Sequence, residues 1–361
     1  MAIDHTADIH ARLAAAEAAL AAVGQQISPA LRHLDIAVLI PCFNEAKTVG
    51  EVVKNFRTAL PGARIYVYDN NSHDNSVVVA REAGAVVRRE PLQGKGHVVR
   101  RMFSDIEADV YVLVDGDATY DAAAAPRLVS RLVESQADMV VGSRITDDKL
   151  AYVGGNSLSN KVMTKMIASL FGDRFTDMLS GYRAFSRRFV KSYPALSTGL
   201  GTEPELTVHA LNLGMITAEV QTTYAGQRIG ETTRWSRMRN RLRVLNMMVQ
   251  LVRDARPLLF FGLVAGLLGL SAVGAQIIAQ PLASATLVVL SAVSLVSGIL
   301  LGAISIGRRE IKRAAYSQVE SLAARLERFE ETRLTLTSLR AQALEENPPV
   351  YGAARRRARA H

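Results

Sequence analysis

Two aspartates leave the end of an apolar run in Val112-Leu113-Val114-Asp115-Gly116-Asp117. Carboxylates two residues apart at a strand end suit a hard divalent cation, which takes oxygen ligands and often bridges a protein to substrate phosphates. Such a cation neutralises the charge that grows on a diphosphate as its bond to the transferred group breaks. Taken alone the pattern also describes an ordinary acidic turn; the apolar run before it and Asp121 after it favour the metal reading. Ile40-Pro41-Cys42-Phe43-Asn44-Glu45 closes the first apolar run, and Tyr68-Asp69-Asn70-Asn71-Ser72-His73-Asp74-Asn75-Ser76 closes the second. Carboxylates at two adjacent strand ends can grip the base and ribose of a nucleotide; Asp74 or Ser72 can instead cap the helix that follows. Gly94-Lys95-Gly96 reads as a basic turn suited to phosphate. It lacks the full Walker pattern, which excludes a P-loop.

The elements that must position these residues alternate between residues 35 and about 221. Apolar runs at Ile36–Ile40, Arg64–Tyr68, Val110–Val114 and Asp138–Val141 are separated by helical stretches from Glu45, from about Asp74 and near Ala124–Ser135. Unbroken apolar strands between helices imply a parallel sheet covered on both faces. Ligands bind such sheets at the carboxyl ends of the strands, where the polar clusters, including Ser143-Arg144, fall.

Beyond that region the composition changes. Leu258–Ile278 and Leu282–Ile306 contain no charged residue, and each is long enough to cross a bilayer as a helix. Basic residues flank the pair on both sides, Arg253 and Arg256 before it and Arg308, Arg309, Lys312 and Arg313 after it. The positive-inside rule then puts both flanks, the α/β domain and both termini in the cytoplasm, on an inner (plasma) membrane. Residues 228–256 hold eight arginines against Glu231 and Asp254, with Leu242, Leu245, Met248, Val249 and Val252 at helical spacing. That is a basic amphipathic helix for a lipid surface, and it accounts for much of the net charge of +9 without nucleic acid. The single cysteine, Cys42, excludes an internal disulfide. The first 30 residues read as an Ala-rich helix from about Asp8 to Val23, not as a signal peptide. After the hairpin, Val319, Leu322, Leu326 and Phe329 form an apolar stripe for packing or for self-association as a homo-oligomer. The tail Arg355-Arg356-Arg357-Ala358-Arg359 suits anionic lipid.

The ordered set Pro41…Asn44-Glu45, Asp69…Ser72…Asp74, Gly94-Lys95-Gly96, Asp115-Gly116-Asp117, Gly142-Ser143-Arg144 and Leu179-Ser180-Gly181-Tyr182-Arg183-Ala184-Phe185 resembles the inverting family 2 glycosyltransferases. Within them it is similar to the dolichyl-phosphate mannose synthase and bacterial polyprenyl-phosphate glycosyltransferase branch. The resemblance covers about residues 34–225, and the hairpin matches the bacterial membrane-anchored members. It implies an α/β GT-A fold, Rossmann-like with a mainly parallel sheet. It implies a nucleotide-sugar donor, UDP-linked by preference, held by Pro41, Asn44, Glu45, Asp69, Asn71, Lys95, Gly96 and Asp115. It implies Mg²⁺ or Mn²⁺ on Asp115 and Asp117, with Thr119 standing where many relatives carry Gln. The catalytic set is then Asp115, Asp117, Arg144 facing the phosphates, and Glu203 and Glu205 near the sugar or acceptor. The implied acceptor is an undecaprenyl-type polyprenyl phosphate in the membrane.

Chemistry supports such an acceptor independently. An alcohol needs a general base, whereas a phosphate monoester, with its second pKa near 6, is already anionic at neutral pH. It needs positioning by cations. The candidates are Lys161 and Lys165, one helical turn apart, and Arg234 and Arg237 at the lipid surface. Two readings compete. A processive polysaccharide synthase shares the sugar-binding half but usually has more membrane helices and a Gln-x-x-Arg-Trp motif; Glu231-Thr232-Thr233-Arg234-Trp235 only approaches it. A non-catalytic membrane adaptor that binds nucleotide-sugar is opposed by the intact Asp115 and Asp117. We expect an N-terminal helical extension (1–33), the catalytic domain (34–227), the basic juxtamembrane segment (228–256), two transmembrane helices (257–307) and a cytoplasmic helix with a basic tail (308–361).

Overall fold

The computed structural model describes residues 33–145, 176–195, 199, 201–225, 246, 249–250, 252–254, 256–278 and 280–346. The N-terminal helix, Lys161, Lys165, Arg234, Arg237, most of the juxtamembrane segment and the Arg-rich tail lie outside those residues. Among the described residues seven strands form one sheet: β1 (Ile36–Cys42), β2 (Arg64–Asp69), β3 (Val86–Arg89), β4 (Val110–Leu113), β5 (Met139–Ile145), β6 (Arg183–Ser186) and β7 (Thr217–Thr223), in the order β3-β2-β1-β4-β6-β5-β7. Every pairing is parallel except those of β6, which runs against both β4 and β5. The expectation of a mainly parallel sheet holds, with one reversed strand. The carboxyl ends of β1, β2, β4, β5 and β7 therefore share one edge. Because β6 is reversed, the residues that precede it, Leu179–Tyr182, arrive at that same edge.

Amphipathic helices cover the sheet. Helix α1 (Val49–Ala59) buries Val49, Val52, Val53 and Phe56, the i, i+3, i+4, i+7 stripe that a core-facing helix requires. It starts at Val49 rather than Glu45, behind a turn in which Thr48 N and Val49 N donate to the Glu45 carbonyl at 3.0 and 2.9 Å. Helix α2 (Ser76–Glu82) follows β2, and α3 (Lys95–Asp105) precedes β4 and buries Val98, Val99, Met102 and Phe103. Gly94-Lys95-Gly96 is thus the start of a helix and not a free turn; Gly94 caps it at φ 131°, a conformation that glycine adopts most readily. Helix α4 (Ala125–Glu134) carries Pro126 in its first turn, where no backbone donor is lost. Helix α5 (Arg187–Ser192) packs on β6 and β4, and α6 (Thr202–Leu213) is joined to β6 by the Arg183–Thr207 hydrogen bond. Pro204 sits in the first turn of α6, so it continues the helix instead of interrupting it.

The two uncharged segments are helices α7 (Pro257–Ile277) and α8 (Pro281–Gln318). Only 17% of the most apolar stretch of α7 and 6% of that of α8 is buried, so neither is a core helix of the α/β domain. At 1.5 Å per residue, α7 is about 31 Å long, enough to cross a hydrocarbon core. Ser284, Ser291 and Ser294 of α8 donate to the carbonyls of Ala272, Ala265 and Phe261, at 3.0, 2.8 and 3.0 Å, and join the pair. Small polar side chains hold apolar helices together in this way.

Helix α8 continues past its apolar part and packs on α5 and α6. Lys312 lies close enough to Glu205, in the first turn of α6, to feel its charge. One turn further on, Tyr316 donates to Asp138 at 2.7 Å, and Arg188 stacks on the Tyr316 ring at 4.5 Å. Asp138 stands at the amino end of β5, the opposite edge from the carboxyl ends. Along α8 the first turn of α6 therefore comes before the far edge of the sheet, so the carboxyl-end side is the one nearer the apolar hairpin. Separately, α9 (Leu322–Glu346) is a charged helix in which Arg328 pairs with Glu320.

Beside Lys312, His209 of α6 is buried and shares a 3.0 Å hydrogen bond with Ser192 Oγ. Burial, and then the Lys312 ammonium, hold its imidazole down to about pKa 3. The unfolded chain takes up this proton below about pH 6.5 and the folded one does not until about pH 3, so folding loses stability as pH falls across that window. Detergent-purified protein is expected to melt progressively lower from pH 7 to pH 5. In His209→Gln that pH-dependent decline should be smaller; an unchanged decline would contradict the buried neutral imidazole.

Candidate active site

The carboxyl-end edge is assembled from loops that lock onto one another. The Asn44 backbone N–H donates to Ser72 Oγ at 2.9 Å, and Asn44 Oδ1 accepts from His73 N at 2.8 Å. Glu45 N donates to Ser76 Oγ at 2.8 Å, and Ala46 N to Asp74 Oδ2 at 3.1 Å. Asp74 thus ties the loop after β1 to the start of α2, with Ser76 N also donating to it at 3.0 Å. Asp69 is buried at the end of β2 and accepts from Ser72 N at 3.2 Å. Thr48 Oγ1 donates to the Gly116 carbonyl at 2.8 Å and so joins this loop to the two aspartates. Asn44 (φ 56°), Asn71 (φ 66°) and Ala118 (φ 60°) are left-handed, and all three lie at this edge. Backbone held in such conformations clusters at functional sites.

Lys95 forms the centre. From the first turn of α3 its ammonium pairs with Asp115 Oδ1 and, at 2.6 Å, with Glu203 Oε1. Burial works against that charge, but Asp115 and Glu203 more than offset it and raise the Lys95 pKa. Thr119 donates to Asp117 Oδ1 from its hydroxyl at 2.6 Å and from its backbone at 3.1 Å, so it orients the second aspartate. Glu45 faces both aspartates. Burial, then Asp115, then Asp117, push its carboxyl up to about pKa 8, and its Oε2 is buried without a hydrogen-bond partner.

The remaining sequence-predicted residues divide. Pro41 lies at the end of β1, and Gly96 in the first turn of α3. Asn71 is occupied with the loop after β3, donating to the Pro91 carbonyl at 2.8 Å and accepting from Arg89 at 3.1 Å. Arg144 lies within β5 and is held by Asp177 at 2.7 and 2.9 Å, with its guanidinium over the Tyr224 ring at 5.3 Å. The two glutamates of α6 part: Glu203 joins Lys95, whereas Glu205 lies toward Tyr193 and Lys312.

Several positioning residues escaped sequence reasoning. Buried Asn70 holds the loop leading to Lys95, donating to the Glu90 and Leu92 carbonyls at 3.0 and 2.8 Å and accepting from Gly94 N at 2.7 Å. Tyr120 accepts from Gly181 N at 2.9 Å and packs between Tyr182 and Tyr224. Arg183 is fully buried and donates to the Met178 and Ser180 carbonyls, at 2.7 and 2.9 Å, and to Thr207 of α6 at 2.7 Å. Its place in the Leu179–Phe185 motif was the available signal; for Asp177 there was none.

The edge therefore presents three facing carboxylates, Glu45, Asp115 and Asp117, and a lysine that matches part of their charge. Residues 37–193 match the model of glycosyl transferase family 2. The chain is also 32% identical over 229 residues to glycosyltransferase AglJ of Haloferax volcanii, spanning 63% of this chain and 75% of that protein. It belongs to glycosyl transferase family 2. A second relative, the dolichyl-phosphate hexose transferase of the same organism, is 29% identical over 199 residues, covering 55% of this chain and 86% of that one. The fold of this glycosyltransferase is GT-A. The glucosyl-3-phosphoglycerate synthase of Mycobacterium tuberculosis, in a crystal structure with Mn²⁺, UDP and phosphoglyceric acid, overlays with a TM-score of 0.52 at 20% identity. That overlay covers 63% of this chain and 82% of the synthase. The family 2 enzyme uses a nucleotide-sugar as its donor.

Packing around Asp115 is close. A Cβ added at Gly181 would stand 2.5 Å from Asp115 Oδ2 and displace that carboxylate, whereas one at Gly307 meets nothing within 4 Å. Gly181→Ala is expected to lower sugar transfer by roughly a hundredfold, the scale of an ångström-sized misplacement. Its melting temperature should stay near that of the parent, and Gly307→Ala should be silent. Steady-state transfer beside thermal unfolding checks both; full activity in Gly181→Ala would contradict the packing at Asp115.

Proposed function

We propose that this enzyme transfers one sugar, with inversion, from a nucleotide-sugar to a polyprenyl phosphate at the membrane surface. The sugar C1–O bond to the diphosphate breaks, and its electron pair leaves with the nucleoside diphosphate. An oxygen of the acceptor phosphate forms the new bond to C1. The observation that carries this reading is the course of α8, which turns the carboxylate edge of the sheet toward the apolar hairpin. A membrane-embedded acceptor would meet the enzyme on that side. The dolichyl-phosphate hexose transferase among the relatives supports the same acceptor class.

On this reading Pro41, Asn44, Glu45, Asp69 and Asn71 line the nucleotide end, and Asp115 and Asp117 take the diphosphate end. A divalent cation, Mg²⁺ or Mn²⁺, fits the residues present. Among the described residues no group of three or more side chains is arranged to hold a metal ion by itself, so Asp115 and Asp117 would hold it with oxygens of the donor diphosphate, a mode usual for Mg²⁺. Asp115 and Asp117 supply the negative charge for it to balance, and the unpartnered Oε2 of Glu45 lies beside them. When bound it supplies neutralisation of the leaving diphosphate. Thr119 keeps Asp117 oriented; Lys95 and Glu203 keep Asp115 in place. Arg144, fixed by Asp177, adds positive charge on the phosphate side.

Purified protein incubated with a panel of nucleotide-sugars, a divalent salt and undecaprenyl phosphate should add the mass of one sugar to the lipid. Asp115→Asn and Asp117→Asn should each lower that product by two or more orders of magnitude, since the lost charge stabilisation is worth several kcal/mol. Product formed at the parental rate in excess chelator, or by either variant, would overturn the donor-side assignment.

The hairpin is read as a double crossing with cytoplasmic flanks. Cys42 is buried, so an introduced thiol can be followed on its own. Gln280→Cys should react with an impermeant maleimide added outside intact cells, and Ser317→Cys only after lysis. The reverse pattern would invert the topology and remove access to a cytoplasmic donor.

A further inference from the structure

The cleft between the start of α7 and the end of the apolar part of α8 has a volume of about 320 Å³. Its lining includes Phe261, Leu301 and Ile304 on the apolar helices, and Arg253 and Arg308 beyond them. Helix positions order this lining. Leu301 precedes Arg308 by seven residues on α8, about 10 Å along the axis. The apolar residues therefore lie within the span, and the arginines at its basic end. Arg253 is paired with neighbouring Asp254 at 2.9 Å. Among the described residues Arg308 has no ion-pair partner.

From Arg308 positive charge leads away from the cleft. Lys312 is one turn further along the same face of α8. It is half-buried against α6, where burial lowers its pKa and Glu205 opposes that shift. Glu205 shares the first turn of α6 with Glu203, and Glu203 holds Lys95, which holds Asp115. Helix α8 thus leads from the foot of the hairpin to α6, and α6 carries the glutamate that holds Lys95. A ligand that rests its anion at Arg308 and its chain on Phe261, Leu301 and Ile304 has a phosphate head and a long apolar tail.

We propose that this cleft is the docking site of the acceptor's phosphate and first isoprene units, with Arg308 as its phosphate contact and Lys312 as the step toward the transfer site. The inference rests on the polyprenyl-phosphate reading above. It commits to the acceptor over a bulk anionic phospholipid because α8 runs from the cleft to Lys312, against α6, and the first turn of α6 holds Glu203, the partner of Lys95. A phospholipid needs only the exposed basic flank.

The test uses full-length protein in phosphatidylcholine nanodiscs with a diazirine-bearing polyprenyl phosphate, and peptide mapping of the cross-link. Labelling is expected on Phe261, Leu301 or Ile304, displaced by unlabelled polyprenyl phosphate and not by phosphatidylglycerol. Arg308→Ala should weaken labelling and raise the KM for polyprenyl phosphate by about tenfold or more, the scale of one charged contact to phosphate, with the KM for donor unchanged. Ile304→Trp, which fills the cleft without touching charge, should do the same. Equal labelling by the corresponding polyprenyl alcohol, equal displacement by phosphatidylglycerol, or unchanged lipid dependence in both variants would overturn the site. Failure of the parent protein to transfer sugar to the lipid, with labelling intact, would instead overturn the functional reading and leave the cleft as a lipid-phosphate site.

Discussion

Lys95 reaches from the first turn of α3 to Asp115 after β4 and to Glu203 in the first turn of α6, and these three charges set the geometry of the whole edge. Partly buried carboxylates repel one another and are costly to desolvate, so they stand together only if a cation lies between them. One ammonium serves two of them. Buried Glu45 faces Asp115 and Asp117, and burial first, then these two charges, raise its pKa. A site with surplus negative charge binds a diphosphate only when further positive charge arrives with it, and a divalent cation carried by the donor meets that need. The surplus accounts for the enzyme's expected dependence on a metal, and the lysine accounts for the position of Asp115.

The sheet delivers these groups through its topology. Parallel strands bring Pro41, Asp69, Asp115 and Arg144 to one edge or close to it, and the reversal of β6 adds the Ser180-Gly181 turn. Gly181 then backs directly on Asp115, and Tyr120 accepts from its amide. Arg183 fastens the same turn to α6 through Thr207. The long helix α8 links this assembly to the apolar hairpin by way of Lys312 and Tyr316. The distance between the carboxylates and the apolar hairpin is thereby a property of one continuous helix.

What was legible in the sequence was local. Apolar runs ending in Asp115, Asp69 and Glu45 announced both the strands and the edge where a ligand binds, because strand ends and carboxylates are neighbours in the chain. The uncharged stretches before Arg308 announced the hairpin for the same reason. Pairings across the chain were not legible. Lys95 and Glu203 are 108 residues apart, Tyr316 and Asp138 are 178 apart, and no periodicity connects either pair. The direction of β6 escaped because a four-residue strand looks alike in both senses. Gly94-Lys95-Gly96 looked like an open phosphate turn because glycines mark turns, yet Gly94 caps a helix and Lys95 has carboxylate partners.

The charge imbalance at the edge makes the most direct claim, that a nucleoside diphosphate and a divalent cation bind here as a unit. Calorimetric titration of UDP into the purified enzyme, with Mn²⁺ and again with excess chelator, tests it. Saturable binding is expected with Mn²⁺, weakening by at least about tenfold in chelator, equivalent to about 1.4 kcal/mol or more. Equal affinity for UDP with and without the metal would contradict it.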